Sequence, residues 1–146
     1  MKKAIGGVYI YNLVIIFLLI MFGFIMASIS YTKAFKVSKS IAAIIERSAG
    51  YNSVSIEKIN AYLSSIGYQR IKLESCPTKK GKNAIRANGG TPYPNGICVY
   101  EVDGKTAAND KYITYGITSY MTIDLPLINL IKIPIYIETE KIYVFS

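Results

Sequence analysis

No charged residue stands between Lys3 and Lys33, and the middle of that stretch runs Leu13-Val14-Ile15-Ile16-Phe17-Leu18-Leu19-Ile20-Met21-Phe22 without a polar interruption. Lipid offers the backbone no hydrogen bonds, so only a helix can satisfy itself there, and about 20 apolar residues at roughly 1.5 Å each cross the hydrocarbon core. Ala4 to Thr32 is therefore expected to span a membrane as a helix. Ala27-Ser28-Ile29-Ser30 offers the small residues of a cleaved secretory signal. The apolar region of such a signal is only about 7 to 15 residues long, shorter than this one.

The helix is expected to continue beyond the bilayer. Ala34, Val37, Ile41, Ile44, Ile45 and Ser48 recur at three- and four-residue steps, with Lys36, Lys39, Ser40, Glu46 and Arg47 largely between them, which is an amphipathic pattern that Gly50 would end. Residues 1–49 thus form leader, span and amphipathic extension, and residues 50–146 are left for one small domain. The net charge of +8 divides into +5 on the first part, six Lys/Arg against Glu46, and +3 on the second, eleven against eight. Lys33, Lys36 and Lys39 fall where lipid headgroups would be, so the basicity reads as membrane attachment rather than nucleic-acid binding.

In the second part, Ser53 to Ser55 offers an N-cap, and Ile56, Ile59, Leu63 and Ile66 give a short amphipathic helix ending at Gly67. A strand is expected over Tyr68 to Glu74, a second over Ile97 to Val102, and Asp103-Gly104 reads as a turn. Ile113 to Leu125 alternates strictly, broken only by Ser119, so one sheet face is expected to be buried and the other solvated. Pro126 to Lys132 reads as a connection with one helical turn. Ile133, Ile135 and Ile137 resume the alternation, Tyr143 and Phe145 keep its phase, and Pro134 belongs at a strand start or an edge. A half-buried antiparallel sheet of about four strands and a helix with an uncovered stripe complete one another, giving an α+β fold.

Histidine is absent, which removes the usual neutral-pH base and the commonest metal ligand. Two cysteines cannot make a structural zinc site alone. Cys76 and Cys98 fit one disulfide in an oxidising compartment; the alternative is a pair of buried thiols in a cytosolic domain. Between them lies a Gly- and Pro-rich loop whose charges, Lys79, Lys80, Lys82 and Arg86, are all positive. Such a loop suits DNA or an anionic surface, although solvated cations are the commoner reason for one. Asp103 and Asp110 flank a turn, but no nucleophile and base pair accompanies them, so neither an enzyme, a cofactor nor a small-molecule substrate is expected. Flanking positive charge nearly balances across the span and leaves orientation open. The cysteines favour a cytoplasmic N-terminus and an extracytoplasmic domain.

The short basic leader ending in Gly6-Gly7, the immediate span beginning Val8-Tyr9-Ile10-Tyr11-Asn12-Leu13, the run-on helix, a small antiparallel sheet with a late disulfide and the late run Ile117-Thr118-Ser119-Tyr120-Met121-Thr122-Ile123-Asp124-Leu125-Pro126-Leu127-Ile128 together resemble type IV pilin-like proteins, most nearly the minor pseudopilins of the tight-adherence (TadE-like) class. That resemblance implies a structural subunit of a pilus, secretion or conjugation-type machine, with other pilin-like subunits and a membrane assembly platform as partners. It also implies peptidase cleavage after Gly7, so that Val8 becomes the first residue. Asn12 then stands fifth, where the family carries a glutamate that offsets a neighbour's terminal charge. An amide supplies no charge, and a minor or initiating subunit fits that departure better than a bulk one. From its position alone, Asn12 has two roles open: bonding a neighbouring helix or terminus, or reaching interfacial water. The alternative function is a membrane-anchored binding module or adaptor working through the basic loop.

Overall fold

A computed structural model describes residues 2–66, 73, 75–85, 96–125 and 128–143; for Lys2, Lys3, 121–125 and 128–131 it describes the backbone. The elements are α1 (Lys2–Arg47), α2 (Ser53–Ser65), β1 (Ile97–Lys105), β2 (Lys111–Leu125), β3 (Ile128–Glu138) and β4 (Ile142–Tyr143).

Helix α1 runs unbroken for 46 residues, about 69 Å. Its N-terminal part stands clear of the rest. From Ala34 onward it is docked: Ala34, Val37, Ser38, Ile41, Ala42 and Ile45 are buried, with Ile41 and Ile45 fully so. Burying the Val and two Ile side chains contributes about 1.5 to 3 kcal/mol each. The helix ends in a Schellman turn, in which Gly50 N–H donates to the Ile45 carbonyl (3.0 Å) and Ala49 N–H to that of Glu46 (3.1 Å). Ala49 holds the left-handed position with φ 55°, and Gly50 follows at φ 136°. The chain then turns directly into α2, whose N-cap is Asn52 and not one of the serines after it. Asn52 Oδ1 accepts from Ser55 N–H at 2.9 Å, and Ser55 Oγ accepts from Asn52 N–H at 2.8 Å, so the expected cap serine instead closes a capping box.

The sheet is antiparallel and four-stranded, with β2 central between β1 and β3, and β4 also paired to β2. The β1–β2 turn is not at Asp103-Gly104. Both lie in β1, with Gly104 opposite Tyr112, where an added Cβ would overlap the tyrosine ring. The chain reverses at Thr106–Asp110 instead, with Asn109 at φ 66° and its N–H on the Thr106 carbonyl (2.9 Å). Of the Pro126 to Lys132 connection expected to hold a helical turn, the described residues from Ile128 onward instead form strand and pair with β2. Pro134 sits within β3, an edge strand as its missing N–H requires.

Between β3 and β4 the edge carries one extra residue. Gly116 faces Glu138 while Ile113 faces Ile142, which is a bulge. Thr139 fills it by donating its N–H to the Tyr115 carbonyl and accepting Tyr115 N–H on Oγ1, both at 2.9 Å. The slip reverses the phase, so Ile142 packs against the core and Tyr143 is left 48% exposed, contrary to the expected continuation from Ile137. Phe145, Gly67 and most of the expected Tyr68–Glu74 strand lie outside the described residues.

The core joins Val37, Ile41, Ala42 and Ile45 of α1, Ile59 and Leu63 of α2, and Val99, Tyr115 and Ile117 of the sheet. Ser119, the gap in the alternation of β2, meets Ser38 of α1 across the seam at 2.6 Å, both fully buried. Two hydroxyls that satisfy one another replace an apolar contact here.

Candidate functional site

Two surfaces can carry function. The first is the free part of α1. Val8, Tyr9, Tyr11, Leu13, Phe17 and their neighbours are exposed, and the most apolar 18-residue window has a mean hydropathy of 2.8 with 0% of it buried. Among the described residues one helix, near the N-terminus, is thus long and apolar enough to cross a membrane. Gly6 and Gly7 lie inside this helix, and a Cβ at either would meet nothing within 4 Å. Packing does not explain them, although each glycine costs a helix interior about 1 kcal/mol. Val8 and Asn12 lie on the same exposed segment, one helical turn apart.

The second surface is the sheet face away from the helices, where the expectation of a solvated face fails. Cys98, Tyr100 and Thr118 are fully buried on it, and Gly116 is buried among them. The cover is the segment that Cys76 pins down. The Cys76–Cys98 disulfide forms with Cα atoms 5.9 Å apart, and Tyr100 donates its hydroxyl to the Pro77 carbonyl at 2.5 Å. Next, Lys79 and Lys82 exchange backbone bonds of 3.1 and 2.9 Å around Lys80 (φ 49°) and Gly81 (φ 73°). Positive φ at both central residues marks a type I′ turn. Finally, Ile85 N–H reaches the Val99 carbonyl at 2.7 Å and covers part of the open edge of β1.

This turn spends the basic residues internally. Lys80 pairs with Glu138, Lys82 with Asp103 at 3.2 Å, and Lys79 lies 5.8 Å above the Tyr136 ring. Arg86 lies outside the described residues. Tyr136 donates to Glu138 at 2.8 Å, so the carboxylate takes two donors. Lys80 and Tyr136 hold its pKa below the usual carboxylate range, while burial and the adjoining carboxylate push the Tyr136 phenol up. The arrangement reads as a clamp that closes one face of a small sheet. Tyr136 and Glu138 were not singled out by sequence; the available signal was Gly116, a glycine in the middle of a strongly alternating strand, which marks a close approach.

Beside the clamp lies a shallow groove of about 610 Å³, lined by Asp103, Tyr112, Glu138, Lys141 and Tyr143 among others. Lys141 caps the Tyr112 ring at 4.7 Å. Its lining mixes both charges. Among the described residues no group of three His, Cys, Asp or Glu side chains is placed to hold a metal ion. The chain matches no family model, no curated protein and no solved structure.

Proposed function

We propose that this chain is a single-pass membrane, pseudopilin-like structural subunit, of the minor TadE-like kind, in a pilus, secretion or conjugation-type assembly. The observation that carries the reading is the continuity of α1: one unbroken helix whose first part is bare and apolar and whose last third is the spine of a disulfide-closed α+β head. Its work is packing, not chemistry. In the membrane the exposed faces of Val8, Leu13, Phe17 and their neighbours lie against lipid, and on assembly against the equivalent helices of other subunits. Helix association in lipid draws on close packing and interhelical hydrogen bonds, and Asn12 supplies the one amide in the span. The unexplained Gly6-Gly7 pair is the proposed processing site, with Val8 as the mature terminus. The Cys76–Cys98 bond supports an extracytoplasmic head and a cytoplasmic leader.

A photo-crosslinking residue placed singly at Leu13, Phe17 or Ile20 in the full chain, in membranes of cells that make it natively, tests this. These three positions share one helical face, and the expected products there are adducts with pilin-like chains or with second copies. Adducts with lipid alone at every position would remove the assembly reading.

A further inference from the structure

Hairpin turns favour glycine and polar residues, whose backbones suit the turn and whose surroundings are water. The sequence where β2 gives way to β3 is Leu125-Pro126-Leu127-Ile128, and from Met121 to Ile133 the only charges are Asp124 and Lys132.

The direction of β2 decides where that tip lies. Tyr115 meets the C-terminal end of α1, where a Cβ on Gly50 would lie 3.2 Å from its hydroxyl. Four residues on, Ser119 bonds Ser38 and the Ala34 carbonyl, and its partner Ile135 clusters with Ala34. β2 therefore runs back toward the bare half of α1, and its pairing continues six residues past Ser119 to Leu125 opposite Ile128. Six strand residues extend about 20 Å, the rise of roughly 13 helical residues. The hairpin accordingly overlaps a stretch of α1 before Ala34. Within residues 4–33, Gly23, Ala27 and Ser30 are half-buried while the rest are exposed, and these three extend the docked stripe of Ala34 and Val37 at helical spacing.

Ala4 to Thr32 is 29 residues, and a hydrocarbon core takes about 20 of them, leaving about nine for the interfacial layers. We propose that the tip of the β2–β3 hairpin is a second membrane contact, with the strand ends at Leu125 and Ile128 set into the headgroup–acyl boundary of the leaflet on the head's side. This rests on the reading of α1 as a membrane span. Lipid is the occupant because the chain's own helix holds the tip at the bilayer whatever else is present. A head held at two points cannot swivel freely about its helix, so the contact sets the tilt of the sheet.

The chain contains no tryptophan, so single reporters are clean. Leu125→Trp, Ile128→Trp, Leu18→Trp in the span and Ala108→Trp in the far turn are each made in the full oxidised chain. Each is reconstituted in phosphatidylcholine vesicles with acyl chains brominated near the headgroup, and acrylamide is the aqueous quencher. The hairpin reporters are expected to lose emission to bromine placed near the headgroup and to resist acrylamide, whereas Ala108→Trp shows the reverse. Leu18→Trp shielded from acrylamide beside hairpin reporters that acrylamide quenches overturns the inference while leaving the span intact. Hairpin reporters shielded from both quenchers also overturn it, in favour of contact with another copy. Leu18→Trp open to acrylamide overturns the span and the hairpin contact together.

Discussion

Replacing Gly116 with alanine tests whether the clamp, and not the helix side alone, holds the sheet together. An added Cβ at this position overlaps the ring and hydroxyl of Tyr136, so the ring must move. It would then give up its hydrogen bond to Glu138, its edge contact with Tyr100 at 6.5 Å and its place beneath Lys79. The partly exposed hydrogen bond is worth about 1 kcal/mol, the aromatic edge contact about 0.5 to 1.5 and the cation contact about 0.5. Alanine returns about 0.4 to 1 kcal/mol by restricting the unfolded chain. The expected net loss is about 1 to 2.6 kcal/mol, or roughly 4 to 20 °C in Tm for a head of this size. Thermal unfolding of the full oxidised chain in micelles, followed by tyrosine near-ultraviolet circular dichroism, measures it. The same substitution in a Tyr136→Ala background should cost nothing or stabilise slightly, because the obstacle is gone. An equal loss in both backgrounds would refute the steric account.

Other substitutions probe separate links. Ala49→Gly relieves the left-handed alanine that ends α1 and should raise stability by about 0.5 to 1 kcal/mol in the same unfolding assay. Cys76→Ser with Cys98→Ser opens a loop of sequence separation 22; a loss of about 3 kcal/mol is expected, with Tyr100 becoming accessible to iodination in the folded protein. Glu138 has a folded pKa below its ordinary 4.5, so its contribution is full above 4.5 and is lost as pH falls through the lower folded value. Wild type should therefore exceed Glu138→Gln in stability at pH 7, and the gap should close under acid unfolding conditions.

Those features that depend on neighbouring residues were legible in the sequence. The uncharged run gave the free half of α1, and the three-four spacing of Ala34, Val37, Ile41 and Ile45 gave its docked stripe. The α+β pairing followed because a stripe and an alternating sheet each needed cover. Ser119 looked like a flaw in the pattern and proved to be half of a buried pair, since its partner Ser38 is 81 residues away. The clamp escaped for the same reason. Lys80 and Lys82 read as free cations until folding brought them to Glu138 and Asp103, and alternation cannot reveal a tethered segment lying across the supposed solvent face. The reversed phase at Tyr143 came from a single bulge residue, which a period-two pattern has no means of announcing.

The protein proposed here is a membrane-held subunit with a processed terminus and an oxidised outer head. Intact mass and N-terminal identity of the chain recovered from membranes, with thiol alkylation before and after reduction, test it most directly. A chain beginning at Val8, with Cys76 and Cys98 alkylated only after reduction, is the predicted result. A chain that retains Met1 to Gly7 and whose cysteines alkylate without reduction would contradict both the processing and the placement of the head.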